Sequence, residues 1–163
     1  MATRGVKPQA RPKPSGRPWN APFTDIARQA GLTAPTLYGG VDRIDYLLET
    51  SSGGVAFFDF DSDGFPDIFL AAHDTNRLYR NNRDATFTEV TEKAGLRRSG
   101  WASGAAVGDY DGDGHDDLLV TYYGQNALYR NNGSGAFADV TATAGLLTKE
   151  TRWNSGATFL IRP

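Results

Sequence analysis

Apolar residues along this chain come in short runs bounded by glycine, aspartate or asparagine, and none of the runs has helical length. GGVAFFDF (53–60) and GAAVGDY (104–110) are glycine-bounded and apolar at successive positions. DIFLAAH (67–73) and DDLLVTYY (116–123) are rich in β-branched and aromatic residues, and NRLYRN (76–81) and NALYRN (126–131) follow them. TFTEVT (86–91) and AFADVT (136–141) alternate, with Phe87, Glu89 and Thr91 set against Thr88, Val90 and Glu92. Runs of this length and content predict strands, and the intervening NRDA and NGSG supply residues that tolerate the positive φ of tight hairpins. The unbroken apolar runs 53–60 and 104–110 predict inner strands covered on both faces. TEKAGL (91–96) and TATAGL (141–146) predict a single helical turn, with Thr91 or Thr141 capping it and Gly95 or Gly145 ending it.

Shifted by 50 residues, the chain matches itself. LYRNN at 78–82 returns at 128–132, and FTEVTEKAGL (87–96) returns as FADVTATAGL (137–146). FTDIARQAGL (23–32) is a further copy, and SGWASGAAVGD (99–109) is echoed by TRWNSGATFLI (151–161), which aligns Trp101 with Trp153. Four short strands in a repeat of about fifty residues is the arithmetic of a β-propeller blade. The predicted fold is therefore all-β: a partial β-propeller of two four-stranded blades plus the first strand of a third. The chain divides into an arm (1–20), an N-terminal strand and connector (21–52), a first blade (53–102), a second (103–150) and the start of a third (151–163). Trp101 and Trp153 are expected to pack between blades.

Composition changes this picture at one end. Residues 1–20 hold five Lys or Arg, four prolines and no acid, so this basic segment has too little apolar surface to order itself and is predicted to be a disordered arm. The chain of 163 residues is large enough for one core, and its net charge of −2 gives no reason to expect nucleic acid. No window reaches membrane-spanning length, no apolar stretch resembles a signal peptide, and without cysteine there is neither disulfide nor thiolate chemistry.

Charge is instead concentrated in two places, DFDSDGFPD (59–67) and DYDGDGHDD (109–117). Asp59, Asp61, Asp63 and Asp67 occupy positions 1, 3, 5 and 9, with Gly64 at 6; Asp109, Asp111, Asp113 and Asp117 repeat them, with Gly114 at 6. Four carboxylates so close repel by several kcal/mol even at an effective dielectric of about 20. A hard cation such as Ca²⁺, which takes six to eight oxygens, turns that repulsion into cohesion. The carbonyls of Phe65 and His115, at position 7, are candidate further ligands, and the cation's expected role is to stiffen the turn.

Rival chemistries fit less well. An EF-hand needs a glutamate at position 12 and flanking helices, whereas Leu70 and Val120 stand there. An aspartate-nucleophile phosphohydrolase, with Asp59 attacking and Asp61 as acid and base, remains the enzymatic alternative, although it calls for an α/β domain and a distant lysine. Solvated Asp/Gly turns are the non-binding alternative. His73 and His115 do not align, so no histidine pair forms, and no catalytic constellation emerges. Arg80 and Arg130, at matching positions, are expected to pair with an acid or to cap carbonyls.

With its acidic loops set between apolar runs, the chain resembles the FG-GAP/VCBS repeat proteins, which include integrin α-type propellers and bacterial relatives of cartilage acidic protein. GGVAFFDFDSDGFPDIFL and GAAVGDYDGDGHDDLLVTYYGQNALYRNNG carry the resemblance, which extends over about residues 21–160. It implies a seven-bladed, calcium-stabilised, secreted or cell-surface propeller used in adhesion or binding, with a protein or carbohydrate ligand and no catalytic activity. It also carries the ligand roles onto the eight aspartates named above. Only two whole units fit, and Ile161 stands where a third loop would begin. The expectation is thus a truncated propeller whose open edges allow self-association, or an assembling part with no independent function.

Overall fold

The computed structural model describes residues 23–36, 43 and 53–160. The predicted disordered arm, most of the 21–52 connector and Ile161 lie outside the described residues. Eight strands follow in order: β1 Val55–Phe58, β2 Asp67–Leu70, β3 Arg77–Asn81, β4 Phe87–Glu89, β5 Ala102–Gly108, β6 Asp117–Tyr122, β7 Ala127–Asn131 and β8 Phe137–Asp139. They form two antiparallel meanders, β1-β2-β3-β4 and β5-β6-β7-β8, with no helix among the described residues. This is the all-β, two-blade architecture expected from the repeat.

Each blade is a sheet that needs its neighbour to cover a face, and one apolar core forms between the two. Phe69, Leu78, Leu96, Leu118 and Val120 are wholly buried in it, each burial contributing roughly 1.5–3 kcal/mol. Phe137 of β8 reaches across to blade 1, with its ring 6.3 Å from those of both Phe58 and Phe60. The inner strands converge so closely that a Cβ on Gly54 would lie 2.6 Å from the Ala105 nitrogen. Trp101, just before β5, packs at a tilt against His73 of blade 1, ring centroids 4.1 Å apart, the inter-blade role expected of it. Trp153 packs in the same tilted way against Tyr123, at 6.0 Å.

The joint between blades is made by the turn after the outer strand. In blade 1 this turn closes through Ala94 N–H to Val90 and Leu96 N–H to Thr91, and Gly95 ends it at a φ of 74°. The Ala94 carbonyl then accepts the Phe137 N–H at 2.8 Å. Residues 26–32 fold into the same turn, and the Ala30 carbonyl accepts the Phe87 N–H, also at 2.8 Å. The third sequence copy thus forms the same closing turn, docked on blade 1 just as the closing turn of blade 1 is docked on blade 2.

Three local expectations need correction. Thr91 and Thr141 do not cap their turns with their side chains; their hydroxyls accept the N–H of Leu78 and Leu128 and so tie the turn to β3 and β7. β1 is covered on one face only, with Val55 and Phe57 exposed, because no described element lies beyond it. Phe23–Ile26 forms no strand, and Trp153–Leu160 makes a single bridge, Trp153 to Tyr123. It still runs beside β5, with Ser155 next to Gly104 and Phe159 next to Gly108, along the path of a third inner strand.

Candidate metal centre

Both acidic loops link an inner strand to the strand paired with it, and the register closes each around its ninth residue: Phe58 pairs with Asp67, and Gly108 with Asp117. Asp67 and Asp117 are fully buried at the starts of β2 and β6. Asp67 accepts the N–H of Phe60 at 3.1 Å on one oxygen and that of Asn81 at 2.7 Å on the other. Asp117 accepts those of Tyr110 and Asn131, both at 2.8 Å. Asp59 and Asp109 organise the turns, accepting the N–H groups of Gly64 (2.7 Å) and Gly114 (2.9 Å). Gly64 and Gly114 both adopt a φ of 87°, which is the conformational reason for glycine at position 6.

Asp59, Asp61 and Asp67 each offer an oxygen within 4.8 Å of the others, and Asp109, Asp111 and Asp117 do the same. Asp63 and Asp113 turn aside: Asp63 accepts the Phe65 N–H and the Arg83 guanidinium, and Asp113 accepts the His115 N–H. The Phe65 ring lies beneath Arg83, 5.2 Å from its guanidinium carbon. The His115 ring lies against Gly133. Arg80 and Arg130 pair with acids as anticipated, Arg80 with Asp61 at 2.7 Å and Arg130 with Asp111 at 3.7 Å.

Crowding leaves an electrostatic signature. Burial pushes Asp67 up to about 6, helped by the charges of Asp61 and Asp63 and opposed by its two N–H donors. Burial raises Asp117 in the same way. Asp109 lies below the usual carboxylate range, chiefly through the Gly114 N–H. Asp63 is also lowered: burial works to raise it, but the Arg83 hydrogen bond, the Phe65 N–H and the two arginine charges outweigh that.

The residues fit a hard cation. The donors are all oxygens, and Asp61 Oδ1 is buried with no hydrogen-bond partner, an orphaned acceptor in the middle of the cluster. They fit a nucleophile poorly. Both oxygens of Asp59 accept backbone N–H groups, and the α/β arrangement the phosphohydrolase alternative calls for does not occur among the described residues.

A family model for the FG-GAP-like repeat matches the chain twice, over residues 59–120 and 109–160, and each match begins at the first aspartate of an acidic loop. The chain belongs to the FG-GAP-like repeat family. No curated protein matches it. FG-GAP-like repeats are generally non-enzymatic, and the two aspartate clusters could hold a metal ion. Among the described residues no helix is long and apolar enough to cross a membrane.

Sequence reasoning missed two residues that brace the acidic loops from outside, Arg83 in the β3–β4 hairpin and Asn131 at the end of β7. Arg83 ion-pairs with Asp63 at 3.0 Å. Asn131 donates from its side chain to the Phe60 carbonyl at 2.8 Å, stitching the second loop to the first blade. The signal for Arg83 was a mismatch, Gly133 standing at its repeat position, and attention to identities passed over it.

Proposed function

We propose that this chain is a non-catalytic, calcium-binding repeat scaffold that presents its surfaces to a protein or carbohydrate partner outside the cell. The observation that carries the reading is the twice-built trio of carboxylates, Asp59, Asp61 and Asp67 repeated as Asp109, Asp111 and Asp117, with the Asp61 oxygen lacking a partner. A bound Ca²⁺ supplies positive charge to acids that otherwise repel. The protein's part is to hold those acids in place, Asp59 and Asp109 through the glycine turns and Asp67 and Asp117 through strands β2 and β6. Affinity in the range of extracellular modules, about 10⁻⁴–10⁻³ M, suits a role outside the cell.

Thermal melting of metal-stripped protein across a calcium titration tests the reading. The midpoint should climb by several degrees into the millimolar range, as mass action requires of a ligand that binds only the folded state. The D61A/D111A double variant should lose the climb. An identical midpoint in EDTA and in several millimolar calcium would remove the metal from the proposal.

A further inference from the structure

We infer that the two acidic loops are unequal cation sites: the blade 1 loop carries a built-in counter-ion, Arg83, and takes a divalent ion weakly, while the blade 2 loop is the tighter site. This rests on the cation-binding reading proposed above. In blade 1, Asp61 is held by Arg80 at 2.7 Å, and Asp63 by Arg83 at 3.0 Å with Arg80 a further 3.6 Å away. In blade 2, the one guanidinium paired with the loop among the described residues is that of Arg130, 3.7 Å from Asp111, and Gly133 occupies the place of Arg83. An ion entering the first loop meets two guanidinium charges and must take oxygens already engaged. In the second it meets one, at longer range. Coulomb repulsion at these separations makes the first loop the poorer host, although Asp61 Oδ1 keeps it a host.

The difference is built into the backbone and the packing. Arg83 adopts a φ of 68°, in the left-handed region that suits the glycine its counterpart is, so its side chain is kept over the loop against a conformational preference. In the reverse exchange a Cβ on Gly133 would fall 2.3 Å from His115 Nε2, so the imidazole would have to move aside. Phe65 under Arg83 and His115 against Gly133 are therefore two matched pairs, one that seats a cationic side chain and one in which a ring fills the space beside a glycine.

Isothermal titration calorimetry of the whole, metal-stripped chain with calcium chloride tests this. Two binding phases about tenfold or more apart are expected, the separation that ligand charge alone can tune. D111N should abolish the tight phase. R83G, which suits the local φ and should fold, should tighten the weak phase about fivefold or more and leave the other unchanged. Loss of the weak phase in D111N, or an R83G titration that superimposes on wild type, overturns the inference. Two equal sites in the wild type also overturn it but leave cation binding standing, whereas absence of both binding heat and any calcium-dependent melting shift overturns both.

Discussion

At residue scale, Asp67 shows what each loop demands of its acids. It is fully buried, yet its two oxygens are committed to N–H donors from the loop and from β3. Its folded-state value of about 6 lies above the ordinary value of 3.8. The folded chain therefore holds a proton that the unfolded chain has released between about pH 4 and 6. Stability from this group is present below that window and is lost as pH rises through 6. Asp117 acts in the same direction, while the lowered Asp63 and Asp109 contribute stability that disappears below the usual carboxylate range. In EDTA, acidification from pH 7.5 to 5.5 should stabilise the protein by on the order of 1 kcal/mol through Asp67, read by urea denaturation, before the trend reverses at lower pH. D67N should flatten that slope. In saturating calcium the sign should invert, because protons then compete with the ion for the same oxygens. Backbone strain is also unevenly shared: Ser62, Arg83 and Ala85 adopt positive φ where blade 2 has Gly112, Gly133 and Gly135. Each of these costs blade 1 about 1 kcal/mol relative to glycine.

At element scale, legibility in the sequence followed the range of the interaction. Strand positions and the acidic turns were readable because alternation, glycine placement and aspartate spacing act within a few residues. The closing turns were half readable: Gly95 and Gly145 end them as their φ of 74° and 72° require. Where the Thr91 and Thr141 hydroxyls point was not readable, because their partners, the Leu78 and Leu128 amides, lie 13 residues away on another strand. Asn131 belongs to the same class. Its side chain donates to the Phe60 carbonyl of blade 1, 71 residues distant, as well as to Asp116, whereas Asn81 donates to Pro66 within its own blade. N131A leaves a buried carbonyl unsatisfied and should cost about 1–3 kcal/mol more than N81A in chemical denaturation.

At the scale of the whole molecule, what a repeated residue contributes depends on whether another unit covers it. Ala94 and Leu96 are wholly buried at the joint between the blades, while their counterparts Ala144 and Leu146 are exposed, Leu146 to 39%. L96A should therefore cost about 2–5 kcal/mol, and L146A should fall within about 0.5 kcal/mol of wild type, both by chemical denaturation. Comparable losses from the two would mean that in solution something covers Leu146 as blade 2 covers Leu96. From the sequence the two leucines look equivalent, since a repeat match records which residues recur and not which of them has a neighbour.

The closing turn has a consequence for the order in which the chain matures. The turn carbonyl of each unit is claimed by the outer strand of the unit that comes later, Ala30 by Phe87 and Ala94 by Phe137. Seams of this kind are polar, like the teeth of a zip. A chain leaving the ribosome amino end first finishes each seam only when the following unit arrives, and peeling from the carboxyl end reopens the last seam while the earlier one stays shut.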